Sequence, residues 1–566
     1  MSGADAAVLA DLAGEHLDLV RAPFTLPRSR LMAFRSADGA DGTLRVHTSE
    51  YERSLEECIV LDALRVRGSE GEVLPVTRVR PHEIVLGDGA AGITFAGTGA
   101  LAVGVATGVE ASVEWDTGEG LQSLRVGGRH AASVVFDVGA DRTVEFARST
   151  EYASLRGATE ATWFDWFVRC PVVRDDLQAM TAFCWWVLGA NIVELPQLGE
   201  ARAVVPSKIG YVGLWQWDAY FIAVGLRHGD PALAREQLDL ALRFPTAVGQ
   251  LPDVVHELGV LASSDDLPAS DRETLRRAGS AVADPAAPVP LTKPPLTAWA
   301  LRKVLDAEPA EPAEDWARAH LEVVRRSQDW WFAHSDLDGD GLPEYGHPYS
   351  SGLDDSPVFD GPLPTTSPDL AAYLVRQDLE LADLVERLEG DGAAAARHRD
   401  RAARTLELLL DLWDEDRGLF RARAAGEPVA SDTIVGLMPL LTGGLPDRIR
   451  DRLVGALDEP DRFAAPWGIP TVAVGDPAFS PARMWRGPVW VNTNALVAEG
   501  LAASGRPTRA RDLAEATVRL VQHGGGPHEY FDPITGERAP TATTAFGWSA
   551  ALFVDLAVGL SRGDRD

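Results

Sequence analysis

Cysteine is scarce in this chain. Cys58, Cys170 and Cys184 are the only ones among 566 residues, an odd number with no metal-type spacing, which argues against a disulfide framework and a cysteine-based metal site. Buried free thiols in a reducing cytoplasm are the expectation. Positive charge is also short: 53 Lys and Arg face 84 Asp and Glu, a net charge of −31. Such a surface repels phosphate backbones and anionic lipid, so neither nucleic acid nor a membrane is an expected partner. No segment approaches the roughly 20 apolar residues that span a bilayer, and the opening Met1-Ser2-Gly3-Ala4-Asp5 lacks the basic start and apolar core of a secretory signal. The 12 histidines contain no His-x-x-x-His pair, so no catalytic zinc is predicted.

What the chain has is tryptophan, 16 of them, and length enough for two domains, one of them large. From about Thr25 to Glu145 short alternating runs such as Ser112-Val113-Glu114-Trp115 and Val134-Val135-Phe136-Asp137-Val138 are separated by Gly and Asp. This is the pattern of antiparallel strands joined by turns, and it predicts an N-terminal β-sandwich over 1–165. Beyond it the period becomes helical. Periodic segments begin near residues 172, 219, 232, 295, 313, 367, 393, 432, 446, 488, 507 and 545, several of them marked by a capping residue followed by proline, as in Asp230-Pro231 and Ser367-Pro368. Twelve helices joined by alternating short and long loops predict six hairpins closed into an (α/α)6 barrel over 166–566. An open solenoid would show an internal repeat, and none is present. The stretch 261–290, rich in Ala, Asp, Ser and Pro, reads as either a lid or disorder.

The long loops carry the unusual residues. Asp354 lies in Ser351-Gly352-Leu353-Asp354-Asp355-Ser356-Pro357, and Glu529 follows Gly524-Gly525-Gly526-Pro527-His528. Between them in the chain stands Met484-Trp485-Arg486-Gly487-Pro488-Val489-Trp490, and Leu214-Trp215-Gln216-Trp217-Asp218 opens a helix. Splitting an acetal needs a carboxylic acid to protonate the leaving oxygen and a carboxylate to act on water, while indole rings cover the apolar face of a sugar. Asp354 suits the first role and Glu529 the second. Each also has a plain reading: Asp354 as a surface turn, Glu529 as a solvated loop residue, Asp218 as a helix cap, Arg486 as an ion-pair partner. Asn494 is placed by the same platform. Asp336-Leu337-Asp338-Gly339-Asp340-Gly341 imitates the first half of a calcium loop, but its twelfth position is His347 where a bidentate Glu is required. A tight acidic turn without a metal is therefore the expectation.

Together with Trp215 to Phe221, Asp338 to Tyr345, Ser351 to Pro357, Trp485 to Trp490, and Glu529 to Pro533 through Phe546-Gly547-Trp548-Ser549, the C-terminal part resembles glycoside hydrolase family 63. That family includes mannosyl-oligosaccharide glucosidases and the mannosylglycerate and glucosylglycerate hydrolases, and it is related to the family 37 trehalases. The resemblance covers roughly 172–560. It implies an inverting α-glycosidase on an (α/α)6 barrel that releases glucose or mannose from a small α-glycoside without a cofactor. Asp354 would be its general acid and Glu529 its general base. Trp217, Asp218, Trp485, Arg486, Gly487, Trp490 and Trp548 match positions lining the sugar pocket, with Trp215 beside them. Ser350 and Asp355 depart from the family pattern, where Glu and Asn are frequent, so two adjacent carboxylates occupy the acid motif. The stretch between Asp354 and Trp485 is shorter than in the glycerate-releasing hydrolases. The rival readings are an inverting phosphorylase or trehalase-like enzyme, and a sugar-binding protein without chemistry.

Overall fold

The computed structural model describes residues 3–36, 42–51, 53–128, 132–257, 259, 291–308 and 311–563; the excursion 261–290 lies outside them. The chain divides into two compact units. The first comprises Met1–Leu195, Arg202–Val212 and Thr543–Ala550, the second Pro196–Ala201, Gly213–Ala542 and Ala551–Asp566.

In the first unit two six-stranded antiparallel sheets carry the alternating runs. One holds, from edge to edge, Phe24–Thr25, Met32–Arg35, Leu44–His47, Ile59–Arg67, Glu110–Asp116 and Gln122–Gly127. The other holds Val144–Ser149, Ala132–Val138, Ala100–Val105, Ala91–Gly97, Glu83–Leu86 and Val76–Arg80. Along Glu110–Asp116 burial alternates, so Ala111, Val113 and Trp115 face inward, as a period of two requires. Aromatic rings join the sheets: Trp115 meets Phe136 at 5.0 Å and Phe24 meets Phe95 at 5.2 Å. Burying each such ring stabilises the sandwich by roughly 1.5–3 kcal/mol.

This unit continues past the change of period at 165 because two helices, Tyr152–Phe167 and Asp175–Ala190, are packed into it. Trp166 and Trp185 stack at 4.8 Å and each indole N–H donates to the other's carbonyl, at 2.7 and 3.0 Å. The helical period near 172 therefore belongs with the sandwich, a tertiary association that local pattern does not encode.

The second unit is built largely of helical hairpins. Gln216–Leu226 pairs with Pro231–Ala241, Thr297–Ala307 with Glu311–His334, Pro368–Glu389 with Gly392–Leu410, and Val491–Ala503 with Pro507–His523. The turns are short and stopped by local chemistry. Asp230 caps Leu233 N–H at 3.0 Å ahead of Pro231, and Gly390 at φ 68° precedes Asp391, which caps Ala394. The segment near 432 is 3-10 over Ile434–Thr442, where Pro439 interrupts α-geometry. Because the short turns follow the first helix of each hairpin, the long loops gather at that helix's N-terminal end, and they hold the motifs. Among the described residues no helix is long and apolar enough to cross a membrane, and all three cysteines are free and buried.

Candidate active site

Asp218 is the third residue of Gln216–Leu226, whose N-cap is Trp215; it does not cap the helix. Every residue of this helix is buried. Gln216 N–H donates to the Asp253 carbonyl at 2.7 Å, and Leu214–Trp215 pairs with Val254–Val255. Asp253, itself buried, is thereby brought to the N-terminal end of this helix.

The turn carrying Asp354 leaves the short helix Pro348–Ser351 through Gly352 at φ 72°. A Cβ on Gly352 would lie 2.3 Å from Trp217 Cζ2, so only glycine allows this turn to rest on the Trp217 ring. Ser351 Oγ accepts the Leu353 N–H at 3.0 Å. The two adjacent aspartates then diverge. Asp355 accepts Arg483 Nε at 3.0 Å and the Trp485 N–H at 2.9 Å, whereas Asp354 Oδ1 is buried and receives no hydrogen bond among the described residues. Asp355 is engaged as a clamp; Asp354 has an oxygen to spare. Asp355→Ala is expected to lower kcat/KM about 10- to 100-fold with unchanged circular dichroism, because the two loops lose their shared anchor.

The Arg/Trp platform is closed on itself. Trp485 and Trp490 stack at 3.7 Å and 4° between planes, Trp217 lies 6.2 Å from Trp485, and Tyr530 lies 4.7 Å from Trp490. Arg486 forms a two-pronged ion pair with Asp360, one arm at 3.0 Å. Gly487 passes so close to Ser480 that a Cβ would meet its carbonyl at 2.6 Å. Asn494 is spent on backbone: it receives Ile469 N–H and donates to Ile469 O, both at 2.9 Å. Val489 and Phe531 exchange two backbone hydrogen bonds, 2.8 and 2.9 Å, which brings the buried Glu529 alongside the platform.

The carboxyls of these motifs act on one another through charge. Burial pushes the Asp218 carboxyl well above the aspartate range; Lys293 opposes this, while Glu529 and Asp354 add to it. Asp354 is raised by burial, lowered by Lys293, and raised again by Asp253 and Asp355. A carboxyl raised in the folded state binds a proton that the unfolded chain has lost, so stability falls as pH rises from the unfolded value, about 3.9, toward the folded one. Asp218→Asn should therefore raise the melting temperature at pH 7, and the gain should vanish near pH 4, as thermal melts across pH would register.

A family model described as the mannosylglycerate hydrolase MGH1-like glycoside hydrolase domain matches residues 211–549. The chain belongs to this family. Its relatives include the mannosylglycerate hydrolase of Thermus thermophilus, 30% identical over 64% of this chain and 98% of that one. The glucosylglycerate hydrolase of Mycolicibacterium hassiacum is 26% identical over 63% and 94%. A crystal structure of the family 63 mannosylglycerate hydrolase from Thermus thermophilus in complex with glucose superposes with a TM-score of 0.51 at 26% identity, covering 60% of this chain and 92% of that one. A bacterial glucoamylase complexed with acarbose matches 96% of this chain and 94% of its own at TM-score 0.55 and 12% identity, a likeness of fold alone. The protein is a glycoside hydrolase, as its family 63-like motifs imply.

In this glycoside hydrolase the structure unites Trp217, Asp218, Asp354, Trp485, Arg486, Gly487, Trp490 and Glu529 through the contacts above. Trp215 stands at the N-cap position of the helix Gln216–Leu226, without a side-chain capping hydrogen bond. Trp548, buried and 5.1 Å from Phe546, falls in the first unit. The sequence reading missed Lys293, Asp253, Arg483 and Asp360. The first two had a signal: each is a charge set in an apolar, proline-bearing run, Leu291-Thr292-Lys293-Pro294-Pro295 and Leu251-Pro252-Asp253-Val254-Val255. The carboxylates of Asp336, Asp338 and Asp340 do gather, with ligand atoms within 4.8 Å of one another. Each accepts backbone N–H groups of its own turn, such as Gly341 to Asp336 at 3.0 Å, and burial pushes nearby Glu344 up to about 7.

Proposed function

We propose that the protein is an inverting α-glycosidase that releases a terminal glucose or mannose from a small α-glycoside by single displacement on an (α/α)6 barrel. Asp354 protonates the glycosidic oxygen as it departs. Glu529 takes a proton from a water on the opposite face of the sugar, and that water attacks the anomeric carbon. The observation carrying this reading is the contrast at Asp354: a carboxyl raised by burial, with one oxygen that no group among the described residues hydrogen-bonds. A general acid needs such an environment to arrive protonated near neutral pH.

The relatives named for mannosylglycerate and glucosylglycerate make glycosyl-glycerates the first substrates to try. α-Linked disaccharides come next, because the span between Asp354 and Trp485 is short for a glycerate pocket. The chemistry proposed uses two carboxylates and water, with no cofactor, and a reducing cytoplasm suits the free thiols. A screen of these glycosides with detection of released monosaccharide identifies the substrate. Proton NMR in the first minutes of turnover should then show β-anomer; fresh α-anomer would overturn single displacement.

A further inference from the structure

Lys293 stands out because it is buried, with 6% of its surface exposed, and acts on two of the site's acids. Four carboxylates, Asp218, Asp253, Asp354 and Glu529, are linked electrostatically there, and Lys293 is the cation acting on both Asp218 and Asp354. Arg483 is engaged by Asp355 and Arg486 by Asp360. The Lys293 Nζ donates to the carbonyl of Tyr349, inside the short helix Pro348–Ser351 that delivers the Asp354 turn. Pro294 and Pro295 follow at once and lead into Thr297–Ala307, so the backbone beneath the ammonium is stiff.

We infer that Lys293 is a positioning residue for the acid: its ammonium ties down the turn that presents Asp354 and supplies the fixed positive charge that balances Asp354 against Asp218 and Asp253. This rests on the assignment of Asp354 as the acid. An uncompensated cluster of like charges would hold protons too tightly, and the acid would release its proton to the leaving group less readily. Hydrogen bond and charge act together here, since the ammonium on the Tyr349 carbonyl is the same one the carboxylates face.

The groups that decide the titration are Asp218 from its helix, Asp253 from the Val254 strand, Asp355 on Asp354's own turn, Glu529 through Asp218, and Lys293. Removing the cation raises the affinity of Asp354 for its proton, so the alkaline limb of kcat/KM, where the acid deprotonates, should move to higher pH. Three variants separate charge from tether: Lys293→Met removes both, Lys293→Gln keeps a donor without charge, and Lys293→Arg keeps the charge. Met and Gln are expected to shift the limb upward by about one pH unit and to lower kcat about tenfold or more, and Arg is expected to keep the native limb. A native limb in Met or Gln, or an Arg limb displaced as far as Met's, overturns the inference even if rates fall. The Asp354 carboxyl carbon, assigned in ¹³C-aspartate spectra by its loss in Asp354→Asn, reports the same shift without turnover. Failure of the enzymatic reading and failure of this inference are thus distinguishable, and Lys293→Arg keeps the test open should Lys293→Met fail to fold.

Discussion

Asp354→Asn and Glu529→Gln are each expected to lower kcat by about a thousandfold or more, with native circular dichroism and melting. Positioned acid–base groups contribute roughly 10²- to 10⁴-fold each, and in a single displacement neither can stand in for the other. The two variants should fail differently. A glycoside whose leaving group is already acidic needs no proton, so an activated aryl glycoside should restore much of the rate to Asp354→Asn and little to Glu529→Gln. Full activity in either variant on an ordinary α-glycoside removes that residue from its role. Asp355→Asn is the control, because Asp355 is engaged by Arg483 and Trp485 while Asp354 Oδ1 is not engaged.

The second large effect concerns a residue with no chemistry of its own. Gly352→Ala should cost at least about 1–3 kcal/mol from the left-handed backbone alone, with more from a Cβ placed 2.3 Å from the Trp217 ring. Either the Asp354 turn or Trp217 must shift. Displacement of an acid by about 1 Å is enough to cost on the order of a hundredfold in rate. Chemical denaturation and kcat on the same variant report both losses, and native values in both would show that the turn does not depend on this contact.

Much of the site was legible because its residues are unusual where they stand. Carboxylates in Gly- and Pro-bounded loops, and indoles set directly beside Arg and Asp, are unusual neighbours, so their presence asks for a chemical reason. The helices were legible for the opposite reason: proline and capping residues act locally, and the segments begin within a few residues of the expected places, as with Pro231, Pro368 and Pro507. Lys293 and Asp253 left a signal, a charge within an apolar, proline-bearing run, but that signal looks the same whether the charge ends at the surface or is balanced in the interior. That Tyr152–Phe167 and Asp175–Ala190 group with the first unit was not legible, because their mutual packing through Trp166 and Trp185 is a contact across a loop.

By itself the sequence determined the two kinds of secondary structure, the family, and the candidate carboxylates and aromatic platform. These depend on short-range periodicity and on residue types within single loops. Only the tertiary structure decided which of the adjacent aspartates keeps an oxygen without a hydrogen bond among the described residues and which is a clamp, that Arg486 is held by Asp360, and that a buried lysine stands among the acids. Each of those outcomes depends on groups more than a hundred residues away, or on burial that sets how strongly charges are felt, and neither is written in local order along the chain.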